Sequence, residues 1–219
     1  MYFSDREDAA RRLSDALLQY RGLNPLVLAI PRGAVPMAKI IADVLGGEVD
    51  VVLVRKLSAP GNPEFAIGAV DESGWIYLGD YANETGQTSK YIENEKDIQL
   101  GLIRERRAMY TPARAPLNPA GRIVIVVDDG LATGSTMIAA LHAIRVQSPK
   151  KLVCAVPVAP ADTLDKVKPY ADEIVCLSTP AMFYAVGQFY QSFPQITDAE
   201  VVKILNRKIP ASGRTKGNV

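Results

Sequence analysis

The sequence predicts an α/β fold in which a mainly parallel β-sheet is flanked by helices. Two observations support this class. Short apolar runs typical of buried strands alternate with helical patterns along most of the 219 residues. One of these runs, Ile123–Val127, is followed directly by two carboxylates and a loop of small residues. Ligands of parallel sheets bind beyond the carboxyl ends of the strands, so this position also predicts a binding site.

The first predicted helix covers residues 4–20. Ser4 is its expected N-cap, because Glu7 follows three residues later and apolar residues then recur at helical spacing. The other predicted elements are, in chain order, a strand at 26–30, a helix at 35–45, a strand at 49–54, a hairpin of 65–70 and 75–78, a helix at 88–110, the strand at 123–127, a helix from 137, a strand at 151–158, a helix at 162–170 and a strand at 173–177.

The helix predicted at 88–110 is long and highly charged. The row 104–107 is expected to face solvent. The residues expected on its apolar face are Tyr91, Ile98, Leu102 and Met109.

A single domain is expected for residues 1–207, with its core at 22–177. A hairpin and a helix are inserted at about 57–112, and a C-terminal hood covers 178–207. The segment 208–219 is polar and rich in glycine, which is typical of a disordered tail.

Composition excludes several classes of function. The net charge of +1 gives no electrostatic case for binding nucleic acid or a membrane surface. No apolar run is long enough to span a bilayer, and the charged N-terminus lacks a signal-peptide core. Cys154 and Cys176 lie in strand-like runs, which favours free thiols in a reducing cytoplasm. His142 is the only histidine, so a structural role is expected for it. Neither G-x-G-x-x-G nor a P-loop is present.

The acid pair, Asp128 and Asp129, stands between the strand 123–127 and a helix. Free N–H groups and the positive end of a helix dipole attract a phosphate group. Adjacent carboxylates can accept hydrogen bonds from sugar hydroxyls. The arrangement therefore predicts a site for a sugar phosphate.

The segment from Val124 to Thr136 has four apolar residues, two acids, three variable residues and Thr-Gly-Ser-Thr. It resembles the ribose-phosphate motif of type I phosphoribosyltransferases. The resemblance implies that the chain binds 5-phosphoribosyl-1-pyrophosphate (PRPP), with Asp128 and Asp129 on the ribose. It also implies Mg²⁺, held mainly through PRPP oxygens and waters, with one of the acids reaching it through water. The residues implied to hold the 5′-phosphate are Leu131, Ala132, Thr133, Gly134, Ser135 and Thr136.

Two further strand ends resemble the cationic parts of the same family. Arg32 and Gly33 look like its pyrophosphate loop, which often holds a non-proline cis peptide. Arg55 and Lys56 look like the pair before its mobile loop, here 57–64, which is expected to close over PRPP. The resemblance thus implies pyrophosphate binding by these four residues, and catalytic roles for Arg55 and Lys56 beside the acid pair.

The acceptor site is expected in the hood, where five aromatic residues fall between 183 and 193. Phe183 and Tyr184 are the candidates for stacking a planar base, with core packing or an oligomer interface as the alternative. The 6-oxopurine branch of the family usually carries Asp where this chain has Ala132, which disfavours that branch. The whole chain looks most like a bacterial group of phosphoribosyltransferase-domain proteins, which does not identify the acceptor.

Two functions follow from the resemblance. The first is a transferase that moves the phosphoribosyl group from PRPP to a small nitrogenous acceptor. The second is a non-catalytic PRPP sensor or regulator. Either function is compatible with a homodimer, and neither a membrane nor a nucleic acid partner is expected.

Overall fold

The computed structural model describes residues 2–79, 82, 88–112 and 115–206. Its main sheet has five parallel strands in the order β2-β1-β6-β7-β8. Because the strands are parallel, their carboxyl ends lie along one edge, which confirms the predicted fold class. The strands are β1 (Leu26–Ala29), β2 (Glu48–Val51), β6 (Ile123–Val127), β7 (Lys151–Val158) and β8 (Glu173–Ser178).

Helices cover both faces of this sheet. The helices of the described residues are α1 (Arg6–Ala16), α2 (Ala34–Leu45), α3 (Ser89–Tyr110), α4 (Ser135–Arg145), α5 (Ala161–Val167) and α6 (Asp198–Leu205). One apolar layer lies between the sheet and α1 and α2, and the other lies between the sheet and α4. No helix among the described residues is long and apolar enough to cross a membrane.

The first helix begins later and ends earlier than predicted. Its N-cap is Asp5, whose side chain accepts the N–H of Asp8 at 2.9 Å, so the prediction of Ser4 as the cap is wrong. The Ser4 N–H instead donates to Asp8 Oδ2 at 3.1 Å. The helix ends at Ala16, and a short 3₁₀ turn at Leu18–Tyr20 completes the predicted segment.

A second, antiparallel sheet has the order β3-β4-β5. Its strands are β3 (Val54–Ala59), β4 (Asn62–Asp71) and β5 (Ile76–Leu78). The predicted strand 49–54 is confirmed only as far as Val51, where the parallel strand ends, and Val54 already belongs to the other sheet. The predicted loop 57–64 is also wrong in structure: it is a hairpin that turns at 60–61. The hairpin predicted between 65 and 78 is confirmed.

Helix α3 is confirmed, with Thr88 as its N-cap. Its predicted apolar face is wrong at Ile98 and Met109, which are 59% and 48% exposed, whereas Tyr91 is half-buried and packs against the core. The buried residues are instead Gln99, Ile103 and Tyr110. Helix α3 packs on β3 and α6 and makes polar contacts there, which apolar spacing alone does not indicate.

The small sheet packs against α4 through its second turn. Trp75 stacks on His142, with ring centroids 3.7 Å apart and 12° between the planes. The Nδ1 of His142 lies 3.4 Å from Oδ2 of the buried Asp71. His142 thus links α4 to the small sheet, which is the structural role expected for it.

Cys154 and Cys176 are free thiols in the apolar layer beside α4. Burial raises the pKa of both thiols.

Candidate active site

The acid pair follows β6 directly, at the carboxyl edge of the main sheet. Asp128 Oδ1 accepts the N–H of Asp129 at 2.9 Å. Burial raises the pKa of Asp128 well above its ordinary value, and the neighbouring charge of Asp129 raises it further. Burial also raises the pKa of Asp129, against the opposing effect of the Arg6 guanidinium. Two carboxylates are therefore held close together in a largely enclosed position, an arrangement more common at functional sites than in structural ion pairs.

The loop from 130 to 134, here the motif loop, depends on its two glycines. A Cβ at Gly130 would lie 2.6 Å from Val186 Cγ1, so the hood leaves no room for a side chain there. Gly134 has φ +78° and is the N-cap of α4, a conformation that side chains rarely adopt. The chain can therefore turn sharply from β6 into α4, which directs the helix N-terminus at the space beyond the acid pair.

One member of the predicted phosphate set is placed differently. The N–H of Leu131 donates to the carbonyl of Val158 at 2.9 Å, and its side chain is buried. Its backbone donor is therefore already used, and the prediction that it contacts the phosphate is corrected. Ala132 stays at the exposed turn of the loop, where its carbonyl accepts the Thr163 hydroxyl at 2.7 Å.

The remaining members of the set cluster at the start of α4. Thr133 Oγ1 and Ser135 Oγ are 3.2 Å apart, and Thr136 follows in the first turn of the helix. Ala132, Thr133 and Ser135 border a cavity of about 210 Å³. Its other lining residues are Ala66, Ile67, Tyr77, Gly79, Asp162, Thr163 and Lys166. Hydroxyls, a lysine and a helix N-terminus thus surround one space.

The loop after β1 lies against the acid pair. A Cβ on Gly33 would lie 2.0 Å from Asp129 Oδ2, so only glycine fits at this approach. The peptide bond between Pro31 and Arg32 is cis. Arg32 Nη1 is 3.5 Å from Asp198 Oδ2, at the start of α6. The loop after β1 therefore lies beside the acid pair, at the carboxyl edge of the sheet where the sequence predicted it.

Arg55 and Lys56 are neighbours in β3 rather than at a strand end. Adjacent side chains in a strand point to opposite faces, so the two cations do not act side by side. Arg55 Nε donates to Gln99 Oε1 at 2.6 Å, and burial, followed by the charges of Arg106 and Arg32, lowers the pKa of Arg55. Lys56 is exposed, and its charge opposes the rise in the pKa of Asp128.

The hood residues differ in exposure. Phe183 is half-buried and its ring centroid is 5.3 Å from that of Phe189. This contact agrees with the alternative role of Phe183 in packing rather than in stacking on a base. Tyr184 is 85% exposed, and its N–H donates to Gln188 Oε1 at 3.0 Å. Of the two, only Tyr184 presents a ring that is open to a ligand.

Several residues at the site were missed by sequence reasoning. Arg6 contacts Asp129, and the Tyr190 hydroxyl donates to the Asp129 carbonyl at 2.6 Å. Asp198 pairs with Arg32 and accepts the hydroxyl of Tyr110, whose pKa is raised to about 12, mainly by burial. Arg6 and Asp198 come from the two ends of the described chain, and no local pattern in the sequence marks them. Tyr190 is one of the five aromatic residues between 183 and 193, but its contact with Asp129 is not indicated by the sequence.

Residues 4–193 match the model of the phosphoribosyl transferase domain family. The chain belongs to this family. Two curated sequences of Mycobacterium tuberculosis, "Putative phosphoribosyl transferase Rv0571c" and "Putative phosphoribosyl transferase MT0597", are each 42% identical to it over 206 residues. Those alignments cover 94% of this chain and 46% of the relative, so the chain spans about half the length of these curated relatives.

A solved structure shows the same fold. The crystal structure of the protein TT1426 from Thermus thermophilus is 45% identical in sequence, with a TM-score of 0.78. The match covers 94% of this chain and 98% of that chain. At this identity and coverage, the two proteins have the same architecture.

Proposed function

We propose that this domain binds PRPP together with Mg²⁺ and transfers its phosphoribosyl group to a nitrogenous acceptor, releasing pyrophosphate. The observation that carries the proposal is the direct run from the acid pair through the motif loop into the N-terminus of α4. That run joins acceptors for sugar hydroxyls to donors for a phosphate within one short segment. Family membership supports the same reaction class.

In the proposed complex each group of PRPP has its own partners. Asp128 and Asp129 accept hydrogen bonds from the ribose hydroxyls, and the backbone N–H groups and hydroxyls from Thr133 to Thr136 hold the 5′-phosphate. The loop of Arg32 and the exposed Lys56 face the pyrophosphate. Positioning and charge stabilisation are then the main contributions of the protein.

The proposed reaction exchanges one bond at ribose C1. The bond to the pyrophosphate oxygen breaks, the bond to the acceptor nitrogen forms, and the configuration inverts. The proton that the acceptor nitrogen loses leaves with the pyrophosphate. Positive charge that develops at the ribose is stabilised by the acid pair. Arg55, held by Gln99, adds positive charge to the strand that carries Lys56. Exclusion of water from this step is assigned in this proposal to the hairpin of β3 and β4.

The residues present fit a divalent cation that is bound mainly through the substrate. Within the described ranges, no group of three or more His, Cys, Asp or Glu side chains is arranged to hold a metal ion. Asp128 and Asp129 supply carboxylate oxygens, which suit Mg²⁺ that keeps waters and ligand phosphates. When bound, Mg²⁺ neutralises charge on the pyrophosphate oxygens.

The acceptor site is assigned to the hood, with the exposed ring of Tyr184 as its first candidate and Phe183 behind it. Ala132 supplies no acid or base to the acceptor, which fits an acceptor other than a 6-oxopurine. The free thiols fit the cytoplasmic location expected from the sequence.

Calorimetric titration of PRPP with Mg²⁺ into the protein tests the proposal, followed by a panel of free bases with detection of pyrophosphate. Tight binding and release of pyrophosphate with one base identify a transferase and its acceptor. Tight binding without release from any base favours the PRPP sensor, because such a protein keeps the ribose-phosphate site without turnover. Absence of PRPP binding overturns the proposal.

A further inference from the structure

Arg6, the first residue of α1, is the closest described cation to the acid pair. Its Nε donates to Asp129 Oδ2 at 2.9 Å, and its Nη2 lies 2.8 Å from the same oxygen. Its third nitrogen, Nη1, donates to the carbonyl of Pro194 at 2.6 Å. One guanidinium group therefore joins the start of α1, the acid pair and the hood.

The surroundings of Arg6 fix its orientation. Its guanidinium carbon lies 3.7 Å from the centroid of the Phe193 ring, in a cation–π contact. The ring of Tyr190 packs on that of Phe193 at 4.7 Å, and its hydroxyl donates to the Asp129 carbonyl. Gly33 closes the opposite side, where a Cβ would lie 3.1 Å from Arg6 Nη2.

This position is unfavourable for an arginine without an anionic partner. Arg6 stands at the positive end of α1, where the helix dipole disfavours a cation, and its side chain is only 11% exposed. Asp129 supplies the compensating charge, and its own side chain is 16% exposed. Arg11, on the same helix, is 69% exposed, and within the described residues its ion pair is with Glu7. The burial of Arg6 is thus specific to its contact with the acid pair.

We propose that Arg6 is a positioning residue for ribose recognition. It holds the Asp129 carboxylate by Oδ2 against the loop of Gly33, so that the other carboxylate oxygen faces the ribose hydroxyls of PRPP. This inference rests on the proposed function, since it takes the ligand of the acid pair to be a ribose phosphate.

Titrations with three probes test the role of Arg6. PRPP, ribose 5-phosphate and pyrophosphate, each with Mg²⁺, are titrated into the wild type, Arg6→Met and Arg6→Lys. Arg6→Met is expected to weaken PRPP and ribose 5-phosphate binding by about tenfold, the effect of losing charged hydrogen bonds, and to leave pyrophosphate binding unchanged. Arg6→Lys restores part of the affinity. Arg11→Met is the matched control and leaves all three affinities at the wild-type level.

The outcomes separate this inference from the proposed function. Equal loss of all three affinities in Arg6→Met, or loss of none, overturns the positioning role of Arg6. If that variant does not fold, Phe193→Leu removes the stacking contact while keeping the ion pair, and the same selective loss for the two ribose ligands is expected. Absence of binding of PRPP and ribose 5-phosphate to the wild type overturns the proposed function, and the inference with it.

Discussion

Two pairs of consecutive acidic residues flank strands of the same sheet, and their surroundings are opposite. Asp128 and Asp129 follow β6, while Asp172 and Glu173 lie at the start of β8. The pKa of both residues in the first pair is raised, chiefly by burial. In the second pair, hydrogen bonds lower the pKa of both.

The second pair has a partner for each carboxylate. Asp172 accepts from Arg145 at 2.7 and 3.2 Å and from the Leu152 N–H at 2.7 Å. Glu173 accepts from Lys151 and from the Tyr20 hydroxyl, both at 2.6 Å. This pair stabilises the fold. In the acid pair after β6, Arg6 contacts Asp129 Oδ2 and the Asp129 N–H donates to Asp128 Oδ1, and among the described residues no hydrogen bond reaches the other oxygen of either carboxylate. Hydrogen-bonding capacity that remains unused, rather than residue type, distinguishes the candidate site from a structural one.

The largest expected contrast is in ligand affinity. Asp128→Asn and Asp129→Asn should each weaken PRPP binding by about tenfold or more, because a charged acceptor for the ribose hydroxyls is lost. Asp172→Asn and Glu173→Gln should leave the affinity unchanged, since these residues lie at the opposite edge of the sheet. Calorimetry with PRPP and Mg²⁺ measures both; equal losses in the two pairs would contradict the comparison.

The close approach of the loop after β1 offers a second test. Gly33→Ala places a Cβ where Asp129 Oδ2 now lies, so the carboxylate must shift. We expect weaker PRPP binding together with a loss of about 2 kcal/mol in the free energy of unfolding. Gly101→Ala is the control: it lies in α3 with open space around it and should stabilise the protein by about 0.5–1 kcal/mol. Unchanged PRPP affinity in Gly33→Ala would show that the loop does not constrain Asp129.

The two pairs should also affect stability with opposite signs at neutral pH. Glu173→Gln removes a charged partner of Lys151 and Tyr20 and should lower the free energy of unfolding by about 1 kcal/mol. Asp128→Asn removes a carboxylate that is disfavoured by burial and should raise stability by about as much, or about 2–4 °C in Tm. Thermal unfolding of the two variants beside the wild type measures the signs; a destabilised Asp128→Asn would contradict this assignment.

The smallest expected effect is the change with pH in the stability differences between the wild type and the variants Glu173→Gln and Asp128→Asn. The stability that the charged Glu173 contributes is present above its ordinary pKa of 4.5, and it is lost as the pH falls through the lower pKa that Glu173 has in the folded protein. The free-energy cost of burying the charged Asp128 carboxylate grows as the pH rises from 3.8, its ordinary pKa, toward its higher pKa in the folded protein. This cost disappears in acid, where the carboxyl group is neutral. Unfolding curves recorded from pH 7 to pH 3 should therefore show that the stabilities of Glu173→Gln and Asp128→Asn both approach that of the wild type. A difference at Glu173 that persists unchanged at pH 3 would exclude its ionic origin.

Local patterns were sufficient for the elements that carry the motif. The strand before Asp128, the strand at 151–158 and the α3 segment were all predicted, because each is long or bounded by clear caps and glycines. The acid pair and the start of α4 follow from the same local run. These features are encoded within about a dozen consecutive residues, so no knowledge of tertiary contacts is needed for them.

Features that depend on distant contacts were not predictable in this way. The run 49–54 is apolar at every position except Asp50, yet it is divided between two sheets because Val54 pairs with Asp71. Leu131 was assigned to the phosphate because its N–H lies in the motif, but Val158 on the adjacent strand accepts that N–H. Arg6 is separated from Asp129 by 123 positions, and its role follows only from the packing of α1 beside the hood.

The stack of Trp75 on His142 gives the molecule an internal optical probe. Trp75 is the single tryptophan in the chain, and it lies beside the turn that joins β4 and β5. Its ring rests on the imidazole of α4, so its fluorescence reports whether the small sheet is docked on that helix. Stopped-flow emission can therefore follow movement of the β3–β4–β5 sheet during ligand binding without a label or an added chromophore.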